Sequence, residues 1–275
     1  LKLEQVRDLK KIQSNEINDF FDSTYSKVYS DLLGIELHDQ INFISNNYLE
    51  SLSNNIAILD LCCGTGRHIK SLGNKGYIVD GVDINPEAVK ITKKDNPTAT
   101  IFLSDAQFFK PNIKYDLIYS MESSIGYLTD DDTVNIFKNI SKNVLADKGL
   151  FIIHLINRDY LAKNLSQRVW FGNPANGYLL ENRTFESEFG LLKIEQVRII
   201  DGKDKKYSIN LRLYSLNELK YLLKEAGLQI NKVFGNYNNE QFSINSPYMI
   251  IECSKINSSE RGEFMTTEQN LIIIA

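Results

Sequence analysis

The sequence predicts an α/β protein: an open, mostly parallel sheet with helices on both faces, plus a small antiparallel β insertion. Three observations carry this. Residues 56–68 read Ile-Ala-Ile-Leu-Asp-Leu-Cys-Cys-Gly-Thr-Gly-Arg-His, an apolar strand, a glycine-bearing turn and the start of a helix. A second strand, residues 77–82, ends at Asp83 and leads into Asn85-Pro86, a capped helix start. Further on, residues 178–185, 191–200 and 206–214 read as strands between turn signals, the last alternating cleanly as Ser-Ile-Asn-Leu-Arg-Leu-Tyr.

Composition bounds the function. The chain has 275 residues, 43% hydrophobic and 24% charged, the balance of a soluble globular protein. Its net charge is −4 and its pI about 5.5. No dense basic run is present, which disfavours a groove that tracks nucleic-acid phosphates. Cys62, Cys63 and Cys253 form no C-x-x-C pair, and His38, His68 and His154 lack ligand spacing, so no metal is expected. No apolar run approaches a membrane span and no signal peptide is visible, so the expected location is the cytoplasm.

Taken in order, residues 1–16 are polar and helix-prone. Apolar and aromatic residues recur at helical spacing over 17–33, and a second amphipathic helix is expected over 36–53. The strand of the glycine motif follows, and a helix over 65–74. The motif is not a dinucleotide fingerprint, because Ile69 stands where the third glycine is needed. Read from Asp60, the pattern is acid-x-small-x-Gly-x-Gly, through Cys62, Gly64 and Gly66. It resembles motif I of the class I S-adenosylmethionine-dependent methyltransferases, with cysteine in place of the first glycine.

That resemblance implies a Rossmann-like seven-stranded sheet with its last strand antiparallel, and S-adenosylmethionine as cofactor, leaving as S-adenosylhomocysteine. It assigns Asp60, Cys62, Gly64 and Gly66 to the cofactor loop. Asp83, at the tip of strand two, is placed to accept from both ribose hydroxyls, with Ile84 beside it. A third strand over 98–103 ends in Ser104-Asp105-Ala106, where the family holds an acid for the adenine amine, so Asp105 inherits that role, with Ala106 beside it as a cofactor contact. The segment Phe-Phe-Asp-Ser-Thr-Tyr-Ser-Lys-Val-Tyr resembles the N-terminal cap of small-molecule methyltransferases, making Tyr25 a candidate cofactor contact and Tyr29 a candidate substrate contact.

Strand four, residues 115–121, runs through Met121 into Glu122-Ser-Ser-Ile-Gly-Tyr127-Leu. This is similar to the segment of bacterial sugar N-methyltransferases that reads Ser-Ser-Ile-Gly-His-Leu. Glu122 is the first candidate for amine anchor or base, and His154, in strand five over 149–156, the second. Tyr127, and Asn157 and Arg158 past the end of strand five, are candidate substrate contacts. Residues 170–174 read as a turn, and the three strands after it as an insertion that covers the site mouth or serves as a homodimer surface. Trp170 and Arg212 are its candidate substrate residues. A capped helix over 215–226 and strands over 228–234 and 247–254 complete the sheet.

The expected organisation is a helical cap (1–53), a cofactor-binding core (54–160), the β insertion (161–214), the C-terminal part of the core (215–255) and an appended tail (256–275). The expected reaction is in-line methyl transfer to a nitrogen or oxygen of a small molecule, nitrogen favoured. The alternatives are an RNA-modifying methyltransferase and a non-catalytic partner subunit that binds the cofactor.

Overall fold

The computed structural model describes residues 17–50 and 56–256. The expectations for residues 1–16, for 51–53 and for the tail from 257 lie outside the described residues. The chain forms two sheets. The first has seven strands: β1 (Ile58–Leu61), β2 (Val79–Asp83), β3 (Ile101–Leu103), β4 (Tyr115–Ser120), β5 (Leu145–Ile156), β10 (Leu228–Phe234) and β11 (Tyr248–Lys255), in spatial order β10-β11-β5-β4-β1-β2-β3. Pairings among β1 to β5 are parallel, and β11 runs antiparallel between β5 and β10. The last strand is thus the antiparallel one, as the motif resemblance implied.

Both faces of this sheet are buried, as mostly parallel sheets require. Leu59, Ile118 and Phe151 pack with Phe137 of α5 (Asp130–Asn139) and Leu219 and Leu223 of α7 (Leu216–Glu225). Ile58, Leu117 and Ile152 turn to the other face. There they meet Phe43 and Ile44 of α2 (Ser30–Ile44), Leu72 of α3 (Arg67–Asn74) and Val89 of α4 (Pro86–Asp95). Successive residues of one strand alternate between the clusters, the two-residue period of extended chain. The helix starts are coded locally. Asn85 Oδ1 accepts from Glu87 N and Ala88 N with Pro86 in the first turn, and Ser215 and Glu218 close a reciprocal capping box.

The second sheet corrects the sequence reading. It has four antiparallel strands rather than three: β6 (Arg168–Asn173), β7 (Gly177–Glu186), β8 (Leu191–Ile200) and β9 (Lys203–Arg212). The expected turn at 170–174 is mostly the edge strand β6. The turn itself lies later, where Asn173 Oδ1 accepts from Ala175 N and Asn176 N. Gly172 and Gly177, both at positive φ, pair so closely that a Cβ on Gly172 would sit 2.2 Å from the Gly177 carbonyl oxygen.

The N-terminal helices also break elsewhere than expected. The chain stays helical through Gly34, in α2, and instead divides around Asp22 and Tyr29. Asp22 caps the short helix α1 (Ser23–Val28), accepting from Thr24 N and Tyr25 N. It also takes bonds from Arg198 Nη1 at 3.2 Å, Lys205 Nζ at 3.0 Å and the Tyr207 hydroxyl at 2.6 Å, all on the second sheet. Partial burial is outweighed by the bonds from Thr24, Tyr207 and Lys205, which hold its carboxyl at a pKa of about 2. The buried Arg198 guanidinium lies 3.9 Å from the Tyr207 ring centre and 4.7 Å from that of Phe20. Tyr29 adds a bond to the buried Glu181 of β7. The helical cap is therefore fastened to the second sheet.

Replacing Arg198 by Met tests this brace. Asp22 keeps Lys205 and Tyr207, so the expected loss is about 2–3 kcal/mol, below that of a fully buried broken pair. Amides of residues 23–29 are expected to exchange faster while those of β1 and β4 do not change. Unchanged exchange in 23–29 would refute the brace.

Candidate active site

A cavity of about 480 Å³ opens at the C-terminal ends of β1, β2, β3 and β4. The sheet order reverses between β1 and β4, the place where open α/β sheets leave a crevice. The floor is made by four strand ends and the segments that follow them: Asp60 and residues 62–65 at β1, 82–85 at β2, 104–108 at β3, and Met121, Glu122 and Ser124 at β4. Phe21, Tyr25 and Ser26 of the cap region and Tyr127 also line it.

The glycine loop is stitched to β2. Cys62 N and Cys63 N both donate to the Val82 carbonyl. Gly64 N donates to Asp83 Oδ2 at 2.8 Å, and Asn85 N to Asp83 Oδ1 at 2.8 Å. Thr92 of α4 donates to the Gly64 carbonyl. Gly66 is held at φ +75 as the cap of α3, and a Cβ there would lie 2.4 Å from Thr92 Cγ2, so this position admits only glycine. Cys62 sits at φ +66. The cost of cysteine at this loop position is a left-handed backbone, about 1–2 kcal/mol.

Five carboxylates line the cavity (Asp60, Asp83, Asp105, Glu122 and Asp132) against a single guanidinium, that of Arg67. Burial lifts the pKa of Asp60 to about 8, with Arg67 opposing and Asp83 adding to the rise. Burial also raises Asp83, against the backbone N–H groups that favour its anion. Asp105 caps the turn after β3 through Gln107 N at 2.8 Å. Among the described residues, three buried acceptors in the lining have no hydrogen-bond partner: Asn18 Oδ1, Asp60 Oδ2 and Gln107 Oε1. A ligand that is cationic and rich in N–H and O–H donors fits this lining, and S-adenosylmethionine is both. A pyrophosphate-bearing dinucleotide does not fit so acidic a cavity.

Glu122 stands at the end of β4 with φ +59, followed by Ser123 at φ +60. This strained pair is tied to the end of β5. Glu122 N donates to His154 Nδ1 at 3.1 Å, Ser123 N to the His154 carbonyl, and Ile156 N to Ser123 Oγ. One carboxylate oxygen, Oε1, takes the Gln40 amide and lies 3.1 Å from Arg67 Nη2. The other, Oε2, has no partner among the described residues. Burial opposes its ionisation, but Arg67, His154 and Gln40 together hold the Glu122 carboxyl below the usual range. Phe21 packs edge-on against Tyr25 and Tyr127, with ring centres 4.8 and 5.1 Å apart.

The structure gathers Tyr25, Asp60, Cys62, Gly64, Asp83, Ile84, Asp105, Ala106, Met121, Glu122 and Tyr127 around the cavity. Other expected site residues stand outside its lining. Gly66 supports the loop from behind. Tyr29 stacks on Tyr25 at 4.3 Å and bonds Glu181. His154 has both ring nitrogens engaged, Nδ1 by Glu122 N and Nε2 by the Tyr237 hydroxyl at 2.9 Å, and burial pushes its pKa down to about 4. Asn157 caps α6 (Arg158–Asn164) and donates to the carbonyls of Ser243 and Ser246. Arg158 and Arg212 both pair with Glu218, each at 2.7 Å. Trp170 is 74% exposed on β6. Sequence reasoning passed over Arg67 and His68, read only as a helix start, and Gln40 and Tyr237, which no motif marks.

Asp60 offers a test with a defined sign. Its folded pKa of about 8 exceeds the unfolded value near ~3.9. The folded state therefore holds a proton that the unfolded state releases, and stability falls as pH rises through that window. Asp60→Asn is expected to melt above the parent protein at pH 9 without ligand, to melt with it near pH 4, and to bind S-adenosylhomocysteine more weakly. Melting curves and calorimetric titration decide it.

A methyltransferase-domain family profile matches residues 58–149. In solved structures, the chain is similar to an S-adenosylmethionine-dependent methyltransferase from Clostridium acetobutylicum. The TM-score is 0.72 at 21% identity, covering 83% of this chain and 96% of that one. It is also similar to the CcbJ methyltransferase of Streptomyces caelestis, with TM-score 0.70 at 15% identity over 85% and 98%. These two likenesses carry the fold. In sequence, it is 31% identical over 72 residues to the dTDP-3-amino-3,6-dideoxy-alpha-D-glucopyranose N,N-dimethyltransferase of Streptomyces fradiae, 26% of this chain and 28% of that protein. With the profile match on the strands and loops that build the cavity, and a lining that fits the cofactor, residues 58–149 form a methyltransferase domain and the chain is an S-adenosylmethionine-dependent methyltransferase.

Proposed function

We propose that this enzyme methylates the nitrogen of a small-molecule amine held by Glu122. The observation that carries the reading is a carboxylate with one oxygen, Oε1, already fixed and the other, Oε2, without a partner among the described residues, in a cavity lined by Phe21, Tyr25 and Tyr127. An N–H of the acceptor donates to Oε2, which aims the nitrogen lone pair. The aromatic rings exclude water and favour the cationic product. The similarity to an aminosugar N,N-dimethyltransferase supports an amine acceptor.

On this reading the cofactor is held by the Cys62–Gly64 turn, Asp60, Asp83 with Ile84, Asp105 with Ala106, and Met121. Asp60 Oδ2 takes an ammonium and Asp83 the ribose hydroxyls. S-adenosylmethionine, when bound, supplies a methyl on a sulfonium, which is already electrophilic. The protein's share is alignment, worth up to about 7–11 kcal/mol. Glu122 is an anchor rather than a proton store, because a carboxyl held below its usual range does not keep a proton at neutral pH. His154 fixes the Glu122 backbone and is not the base.

The test pairs melting curves with a methyl-transfer assay on amine acceptors, dTDP-3-amino-3,6-dideoxyglucose among them. S-adenosylmethionine and S-adenosylhomocysteine are expected to raise the melting temperature, since a ligand at 100 times its Kd adds about 2.7 kcal/mol. Glu122→Gln is expected to slow transfer about tenfold or more with S-adenosylhomocysteine affinity unchanged. Full activity in that variant would remove Glu122 from the mechanism.

A further inference from the structure

Behind Glu122 lies a buried polar network whose proton arrangement has one consistent solution. It starts from a group that cannot change role: the backbone N–H of Glu122 donates to His154 Nδ1. That nitrogen therefore carries no proton, and the neutral ring bears its proton on Nε2, which faces the Tyr237 hydroxyl. Tyr237 accepts from His154, so its own proton goes to Glu36 Oε2 at 3.2 Å. The same hydroxyl accepts from Gln40 Nε2 at 3.0 Å. This fixes the fully buried Gln40 amide with its NH₂ toward Tyr237 and Glu122 and its oxygen toward His68 Nε2, 2.8 Å away. His68, buried and neutral, must then donate from Nε2.

A glutamine amide fills nearly the same volume either way round, so packing alone does not choose its orientation. Reversed, Gln40 would set its oxygen against Glu122 Oε1, and both His68 and Tyr237 would have to exchange their donor and acceptor roles. We propose that Gln40 is a positioning residue for the acceptor site: its amide, locked by His68 and Tyr237, presents an N–H to Glu122 Oε1 and so keeps Oε2 ionised and free for the acceptor amine. Arg67 supplies the charge, itself steered by a bond from Nη1 to the Leu33 carbonyl. Gln40 supplies direction. The proposal rests on the reading of Glu122 as the amine anchor.

The groups that bear on Glu122 come from every neighbouring element: Gln40 from α2, Arg67 from α3 with His68 behind Gln40, His154 from β5, Tyr237 between β10 and β11, Tyr25 from α1, and Tyr127. The two last phenols are raised by burial and by the charge of Glu122. None of these phenols loses its proton across the neutral range, whereas His154 gains one near pH 4, so the Glu122 midpoint is read from its own carboxyl signal and compared between variants that all keep His154.

The experiment is a pH titration of the full chain labelled with [δ-¹³C]glutamate. The Glu122 signal is assigned by its loss in Glu122→Gln. The parent midpoint is expected below that of ordinary glutamates. In Gln40→Leu and in His68→Leu it is expected to rise by about one pH unit. His68→Gln, which keeps a donor at the Nε2 position, is expected to restore it. Tyr237→Phe, the mildest change in packing, is expected to give a smaller rise and serves if the leucine variants do not fold. An unmoved midpoint in the folded variants, or a His68→Gln that behaves like His68→Leu, would overturn the proposal. A Glu122→Gln enzyme with full methyl transfer would instead sink the anchor reading, whatever the titration shows.

Discussion

The site depends on a carboxylate that serves the backbone before it serves any ligand. Asp83 accepts the Gly64 N–H with one oxygen and the Asn85 N–H with the other. Those two peptides belong to the turns after neighbouring parallel strands, where the sheet's own ladder ends and its polar groups need new partners. By bridging them, Asp83 sets the spacing of the glycine loop from the start of α4. Thr92 then closes the loop from below, and Gly66 yields the room for it. Once this junction is fixed, the floor of the cavity has little freedom left, and Asp60 is left buried with an oxygen unsatisfied.

Much of that junction was legible in the chain because it is local. The strand, the turn and the capped helix each carry their signal within a few residues. Asp83 could be placed by counting along the sequence. The seven-stranded sheet with its last strand antiparallel followed from the motif resemblance. Beta strand β6 was not legible: Gly172, Asn173 and Pro174 are turn residues by composition, and only pairing with β7 draws most of that segment into a strand. The gap expected between the helices over 17–33 and 36–53 failed in the opposite sense, because the helix continues through Gly34. The helix runs through it because α2 is held by packing of Phe43 and Ile44 on the sheet, which outweighs the modest penalty of one glycine.

The acceptor end was only partly legible, for a different reason. Glu122 stood out from the segment it interrupts, yet the residues that govern it come from far along the chain. Gln40 precedes it by 82 positions, and Tyr237 lies 197 beyond Gln40. No periodicity or spacing signals a contact of that range. Arg158 drew attention for its place past strand five and Arg212 for its place in the insertion, but both pair with Glu218. Arg67, printed inside the motif itself, is the one that reaches the cavity.

The brace between Asp22 and Arg198 divides the site by origin. Its floor hangs from the first sheet, while the aromatic wall of Phe21 and Tyr25 takes its position from the second. The two halves share a cavity but few structural obligations. A lineage that alters strands β7 to β9 re-aims that wall without disturbing the loops that grip the methyl donor. On the proposed reading, such a molecule can exchange one acceptor for another by change in its insertion while the loops of the first sheet keep the cofactor.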